Sequence, residues 1–404
     1  MTKYLDKRHW FLVIMTFSVY VVYAFYVNLF GADATVMMGF YQINSAQQGF
    51  ILTMQSVGGF ICSVFLALMG ERFNKIYVVA LGTLIMGASS VLIGFAPSYV
   101  ILVVLVTIAG IGFTGVDIMV NGVITEVYPH KKSTLLPITH AFYGLGAMVG
   151  PLFVTLMVNP KIMNTFRIPF LWIGLAACVI FLLYVIAGKK VMRETPYAHM
   201  EEMKKRATEN PAEIFKTKEA WILLVICVFQ FIYQFGMSSW LPTYCIEVRG
   251  MPFDTAGLVL TGFFAGALIM RFLSPFFLRK MSAAAVFSGF SIASAVSMII
   301  AFSVPYNPVM IVLVVIAGFF QGANAVTLVM MCCAVFPKRT ASASAIQVFA
   351  VNIGIMISPL VIGKMAQTTG FALPLYLAAA LMVVPIVLTR IMMKKHACLR
   401  EVGK

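Results

Sequence analysis

Apolar residues run through the chain in twelve long stretches, near 10–32, 46–68, 76–95, 99–127, 134–158, 168–188, 220–245, 254–278, 284–304, 307–335, 342–366 and 371–393. Polar residues gather mainly in the breaks between them. A helix rises 1.5 Å per residue, so about 20 apolar residues cross the hydrocarbon core of a bilayer. The pattern predicts twelve transmembrane helices and an all-α membrane protein. The connections are short except for Lys189 to Glu219, which is charged and separates six spans from six. The expected domains are a six-helix bundle at 1–188, an inside linker at 189–219, and a second six-helix bundle with its tail at 220–404. Within the linker, HMEEMKKRATEN is either a solvated tether or an amphipathic surface helix with Glu201 and Lys205 one turn apart.

The two halves repeat one another. Ile108–Pro151 aligns without a gap on Ile316–Pro359, 208 positions later. Ala109-Gly110 matches Ala317-Gly318, Tyr128-Pro129 matches Phe336-Pro337, Gly146 matches Gly354 and Pro151 matches Pro359. Three polar residues are not repeated: Asp117 falls opposite Ala325, Asn121 opposite Val329 and His140 opposite Val348. A shared frame with unshared polar groups points to two pseudo-symmetric bundles whose chemistry differs.

Composition narrows the reading. At 61% hydrophobic and 11% charged residues, a soluble globular chain is excluded. The net charge of +15 would suit a nucleic-acid partner, but its placement argues against one. With both termini inside, 24 of the 29 Lys and Arg fall on the inside, which is the positive-inside rule. The expectation is a multi-pass plasma (inner) membrane protein with cytoplasmic termini, its basic loops near anionic lipid headgroups. The seven Cys show no metal-binding spacing and read as small packing residues. MTKYLDKRHW leads directly into the first apolar run, which reads as an uncleaved span.

Several motifs resemble the major facilitator superfamily. The loop after the second span, ALMGERFNKIYV, is similar to that family's G-x-x-x-D-R-x-G-R loop. Glu71, Arg72 and Lys75 stand at the charged places and Asn74 replaces a glycine. Gly146-x-x-x-Gly150-Pro151 resembles its glycine–proline motif. GVDIMVNG, Thr139-His140-Ala141-Phe142-Tyr143-Gly144, Trp240-Leu241-Pro242-Thr243-Tyr244 and Met270-Arg271-Phe272-Leu273 are similar to the fucose–proton symporter-like branch. The chain departs from that branch at Gln234, where an acid is common, and at Met270, where a glycine is common. The resemblance implies the major facilitator fold and alternating access by two rocking bundles. It also implies uptake of a small polar solute such as a sugar, often coupled to protons or sodium.

Within the spans, polar residues mark the candidate site, because ionised groups in hydrocarbon are costly. Thr114, Asp117, Asn121 and Thr125 form one polar stripe on the fourth span, with Asp117 roughly 16 Å from its inside end. His140 lies about 10 Å deep on the fifth span, within reach of that stripe if the two spans run antiparallel. Asp117 and His140 are the expected proton-coupling pair; the plainer reading is a hydrogen bond pinning the two helices together. Asn121, Tyr20, Tyr23, Gln230, Gln234, Gln321, Asn324, Gln347 and Asn352 are the expected substrate contacts, and they fit helix–helix glue equally. Arg271 is expected to gate, or to hold an anionic solute. Asp33 and Glu126 are expected at the membrane interfaces, and Gly110, Gly112, Gly115, Gly144, Gly146 and Gly150 at close helix crossings.

No phosphate-binding loop, zinc-protease motif, paired CxxC or nucleophile elbow is present, so an enzyme is not expected and no cofactor or metal is implied. The expected partners are a small-molecule substrate, protons and membrane lipids, and the expected state is a monomer. Three alternatives remain: an organic-anion transporter using Arg271, an amphipathic-drug efflux pump, and a non-pumping receptor or lipid flippase.

Overall fold

The computed structural model describes residues 7–69, 73–127, 132–194, 211–337 and 340–401. The linker-helix expectation at 199–210 and the loop residues Glu71 and Arg72 lie outside the described residues, as do the side chains of Thr125 and Glu126. Among the described residues, twelve helices are long and apolar enough to cross a membrane, from Trp10–Ala32 to Ala372–Lys395. They fall where the apolar pattern puts them.

In chain order the first half holds α1 (Lys7–Ala32), α2 (Ala34–Tyr41), α3 (Ser45–Met69), α4 (Lys75–Ile93), α5 (Tyr99–Val127), α6 (Lys132–Met157) and α7 (Arg167–Glu194). The second half holds α8 (Lys218–Glu247), α9 (Phe253–Leu278), α10 (Ala283–Ser303), α11 (Pro308–Gln321), α12 (Asn324–Val335), α13 (Thr340–Thr369), α14 (Ala372–Ala380) and α15 (Val383–Lys395). Two spans are not single helices. The tenth is interrupted at Gly322 and Ala323, and the twelfth at Leu381 and Met382. Pro385 accounts for the second break, because it has no N–H to give the carbonyl four residues back. Local chemistry sets the starts. Asn74, standing where the family loop has a glycine, caps α4 by accepting the Ile76 N–H at 3.0 Å. Asn307 does the same for Met310 at 3.1 Å, with Pro308 at the first turn of α11.

The chain forms two compact units: Met1–Leu29 with Met54–Glu209, and Phe30–Thr53 with Asn210–Lys404. The end of α1, all of α2 and the start of α3 therefore pack with the C-terminal helices. Gly31 sits against the Ser238 carbonyl and Gly49 against the Pro359 carbonyl. The Ser45 hydroxyl donates to Gly363 O at 2.7 Å, and the Thr53 hydroxyl to Met356 O at 2.7 Å.

The sequence repeat is reproduced contact by contact. In the first unit a Cβ on Gly110 would lie 2.0 Å from Gln55 O, and one on Gly58 would lie 2.0 Å from Thr107 O. In the second, a Cβ on Gly318 would lie 2.0 Å from Phe263 O, and one on Gly266 would lie 2.4 Å from Val315 O. All four residues of each set are 208 positions from their counterparts. Backbones this close admit only glycine, and the gain is tight van der Waals packing where lipid tails compete with any apolar side chain. Gly112, Gly146 and Gly150 also make close crossings, as expected. Gly115 does not: its nearest neighbour is Cys62 Sγ at 3.6 Å, an ordinary contact. Leu156, Val100 and Phe272, at 70%, 68% and 67% exposure, mark apolar faces that suit lipid.

Candidate functional site

In the first unit the polar stripe of α5 meets a tyrosine-rich face. Tyr20, on α1 and fully buried, donates its hydroxyl to Asp117 Oδ1 at 2.7 Å. Its oxygen is also 3.5 Å from the Asp117 carbonyl. A hydrogen bond to a carboxylate is short and strong, and here it joins helices 97 residues apart in sequence. Asn121 donates to the Asp117 carbonyl at 2.9 Å, a bond within its own helix. Asp117 and Asn121 are half-buried and His140 is exposed, so this face is not sealed within its unit.

Aromatic rings hold the Tyr20 hydroxyl in place. Tyr23, His140 and Tyr143 stand edge-on to the Tyr20 ring, with centroids at 5.6, 5.7 and 6.4 Å. Tyr23 is stacked on Phe113 at 5.5 Å and meets Tyr143 edge-on at 5.4 Å. The expected group of Asp117, Asn121, His140, Tyr20 and Tyr23 is thus brought together. Tyr20 and Tyr23, at 0% and 8% exposure, form the wall behind Asp117. Tyr143 is a member the polar pattern passed over. It lies three residues after His140, one turn along the same helical face.

The second unit carries a neutral network at the interruption of its tenth span. Asn324 Nδ2 shares its two hydrogens among Gln230 Oε1 at 3.1 Å, Gln321 Oε1 at 3.0 Å and Ser291 Oγ at 3.2 Å. Gln321 in turn reaches Gln234 Oε1 at 3.5 Å. Gln230 and Asn324 are fully buried and Gln321 nearly so. Ser291 was not expected. It belongs to the series Ser288, Ser291 and Ser294 at three-residue spacing, all 0% exposed, which is the signal that could have found it.

Other candidates stand apart. Gln347 donates to Ala325 O at 3.1 Å, beside the network. Asn352 bonds Val348 O of its own helix at 3.0 Å. Arg271 is half-buried on α9, next to the fully buried Met270. Lys75 lies along α5, its Cδ 2.7 Å from a Cβ placed on Gly122. Asp33, expected at a membrane interface, lies directly after the first span, fully buried at the junction of α1 and α2, and neither carboxylate oxygen has a hydrogen-bond partner among the described residues. Burial pushes its carboxyl up.

These features define a polytopic helical membrane protein with a polar cluster in each unit among the described residues. The Major Facilitator Superfamily model matches residues 12–283 and 250–397, and the chain belongs to that family. It is 26% identical over 286 residues to a probable sulfoacetate transporter of Cupriavidus necator, covering 64% of this chain and 62% of that one. It is 23% identical over 323 residues to a cis,cis-muconate transport protein of Acinetobacter baylyi, covering 76% and 77%. Among solved structures, a bacterial homologue of the human lysosomal transporter Spinster superposes with a TM-score of 0.82 at 16% identity, over 99% of this chain and 100% of that one. A D-xylose–proton symporter superposes with a TM-score of 0.73 at 14% identity, over 94% and 97%. The chain is a transport protein and not an enzyme.

Proposed function

We propose that this chain is a secondary active transporter that takes up a small polar solute of the sugar class by alternating access, coupled to protons through Asp117. It would lie in the inner membrane with both termini in the cytoplasm. One observation carries the reading: a single carboxylate in the middle of a transmembrane helix, half-buried, held by a tyrosine hydroxyl at 2.7 Å. A carboxyl so placed gains and loses a proton at a cost that its surroundings decide, so protonation is linked to whatever changes those surroundings. In the first unit, Asn121, His140 and Tyr143 beside Asp117 supply donors and acceptors suited to a neutral polyhydroxyl solute. The amides of Gln230, Gln234, Gln321 and Asn324 in the second unit carry no charge at any pH.

A second reading has its own support. Relatives named for sulfoacetate, cis,cis-muconate and niacin are all named for small organic acids. In that reading Arg271 holds the anion. Both readings are testable in proteoliposomes under an inward proton gradient, with D-xylose and muconate as probes. Sugar uptake that an uncoupler collapses and that Asp117→Asn loses supports the first. Accumulation by Asp117→Asn equal to the parent's sinks proton coupling through this residue. Muconate uptake that Arg271→Gln abolishes moves the assignment to organic acids.

A further inference from the structure

The sequence places Tyr20 among residues that touch solute, yet its environment is that of a group acting through another. It is fully buried, its ring is walled by Tyr23, His140 and Tyr143, and its hydroxyl is spent on Asp117 Oδ1 at 2.7 Å. We propose that Tyr20 is a positioning residue for Asp117, whose hydroxyl orients the carboxyl and tunes the pH at which the proton is taken up. The proposal rests on the reading that Asp117 carries that proton.

A donor aimed at a carboxylate favours the charged form and opposes the cost of keeping that charge out of water. The same geometry provides for the protonated state. Once Asp117 takes a proton, its new O–H can donate to the tyrosine oxygen, and the tyrosine proton needs another acceptor. The Asp117 backbone carbonyl is 3.5 Å from the Tyr20 oxygen, so a small hydroxyl rotation transfers the bond from side chain to main chain. One proton enters and none leaves; one hydrogen bond reverses and the tyrosine proton moves to a second acceptor. Tyr20 is thus a two-position rotor whose setting follows the charge of Asp117.

Other groups around the carboxylate are named so that their effects can be separated. Tyr23 comes from α1, Thr114 and Asn121 from α5 itself, and His140 and Tyr143 from α6 beside the Tyr20 ring. From neighbouring helices, Lys75 lies along Gly122 and Cys62 meets Gly115. Tyr20 reaches Asp117 Oδ1 with a proton at 2.7 Å.

The experiment reads the proton itself and needs no identified solute. Infrared difference spectra of the purified protein are titrated against pH, and the protonated-carboxyl band absent from Asp117→Asn is followed. In Tyr20→Phe the midpoint of that band should rise by about one to two pH units, the size expected for losing one hydrogen bond to a charged group. Fluorinated tyrosine at position 20 keeps the ring packing and is the stronger donor, so its midpoint should fall below the parent's. An unchanged midpoint in the fluorotyrosine protein overturns the proposal, even if Tyr20→Phe fails to fold. If Asp117→Asn removes no titrating band, the coupling reading fails first and separately.

Discussion

The aligned segments Ile108–Pro151 and Ile316–Pro359 begin from the same frame and arrive at opposite chemistry. In the first, α5 runs unbroken through Thr114 and Asp117 and offers a group that titrates. In the second, the helix is interrupted at Gly322 and Ala323, one residue before Asn324, and offers only amides. The crossings that hold each helix are the same to the residue, Gly110 on Gln55 and Gly318 on Phe263. Duplication has preserved backbone-to-backbone contacts, which tolerate no side chain, and released the polar faces to diverge. The two faces also differ in burial. Gln230 and Asn324 are fully buried and bonded to each other, with Gln230 Nε2 and Asn324 Oδ1 left unpartnered among the described residues, whereas the Asp117 carboxylate stays half-buried and keeps a strong donor.

The comparison is broken hardest at its shared frame. Gly318→Ala and Gly110→Ala each place a methyl 2.0 Å from a carbonyl oxygen, so each should lose ~2 kcal/mol or more of stability, read as a lower melting temperature. Gly115→Ala, with nothing nearer than 3.6 Å, should melt within about 0.5 kcal/mol of the parent. Next, exchanging the chemistry should hurt the second unit more than the first. Asn324→Asp sets an acceptor against the acceptors Gln230 Oε1 and Gln321 Oε1 and should cost ~3 kcal/mol. Asp117→Asn still accepts from Tyr20 and should cost ~1 kcal/mol or less. A larger loss in Asp117→Asn than in Asn324→Asp would reverse the contrast.

A third prediction concerns Asp33, just past the first span. Burial raises its native value above the unfolded value of about 3.9, so the folded protein holds the proton more tightly than the unfolded chain. Stability is then greatest in acid and declines as pH rises from the unfolded value toward the native one. Asp33→Asn should remove that slope, melting above the parent at neutral pH and converging with it in acid. The smallest expected effect is Asn352→Ala, whose bond lies within its own helix and should cost ~0.5 kcal/mol.

The twelve spans were legible because the bilayer imposes one length on every helix that crosses it. Asp117 was legible because an acid in an apolar run has few reasons to be there. The break at Gly322 was hidden, since hydropathy averages over a turn and its contact with the Ala267 carbonyl is tertiary. The Tyr20 bond was not legible: periodicity shows that Tyr20 shares a face with Tyr23, not that its hydroxyl bonds a residue 97 positions away. The burial of Asp33 was not legible, because its position at the end of an apolar run says nothing of the C-terminal helices that pack with its segment.

The grouping of Phe30–Thr53 with the second unit has a consequence for how the protein is made. The Ser45 hydroxyl bonds a carbonyl 318 residues downstream, and Thr53 bonds one 303 residues downstream. These turns are among the first to be synthesised, and their partners are among the last. Contacts so distant in sequence form slowly, because the loop must close before any contact rewards it. The early turns therefore wait, inserted but unpaired, until the eleventh span arrives. Co-expressed fragments divided at 189–219 should each insert, yet the second unit is complete only when the first fragment lends it this segment.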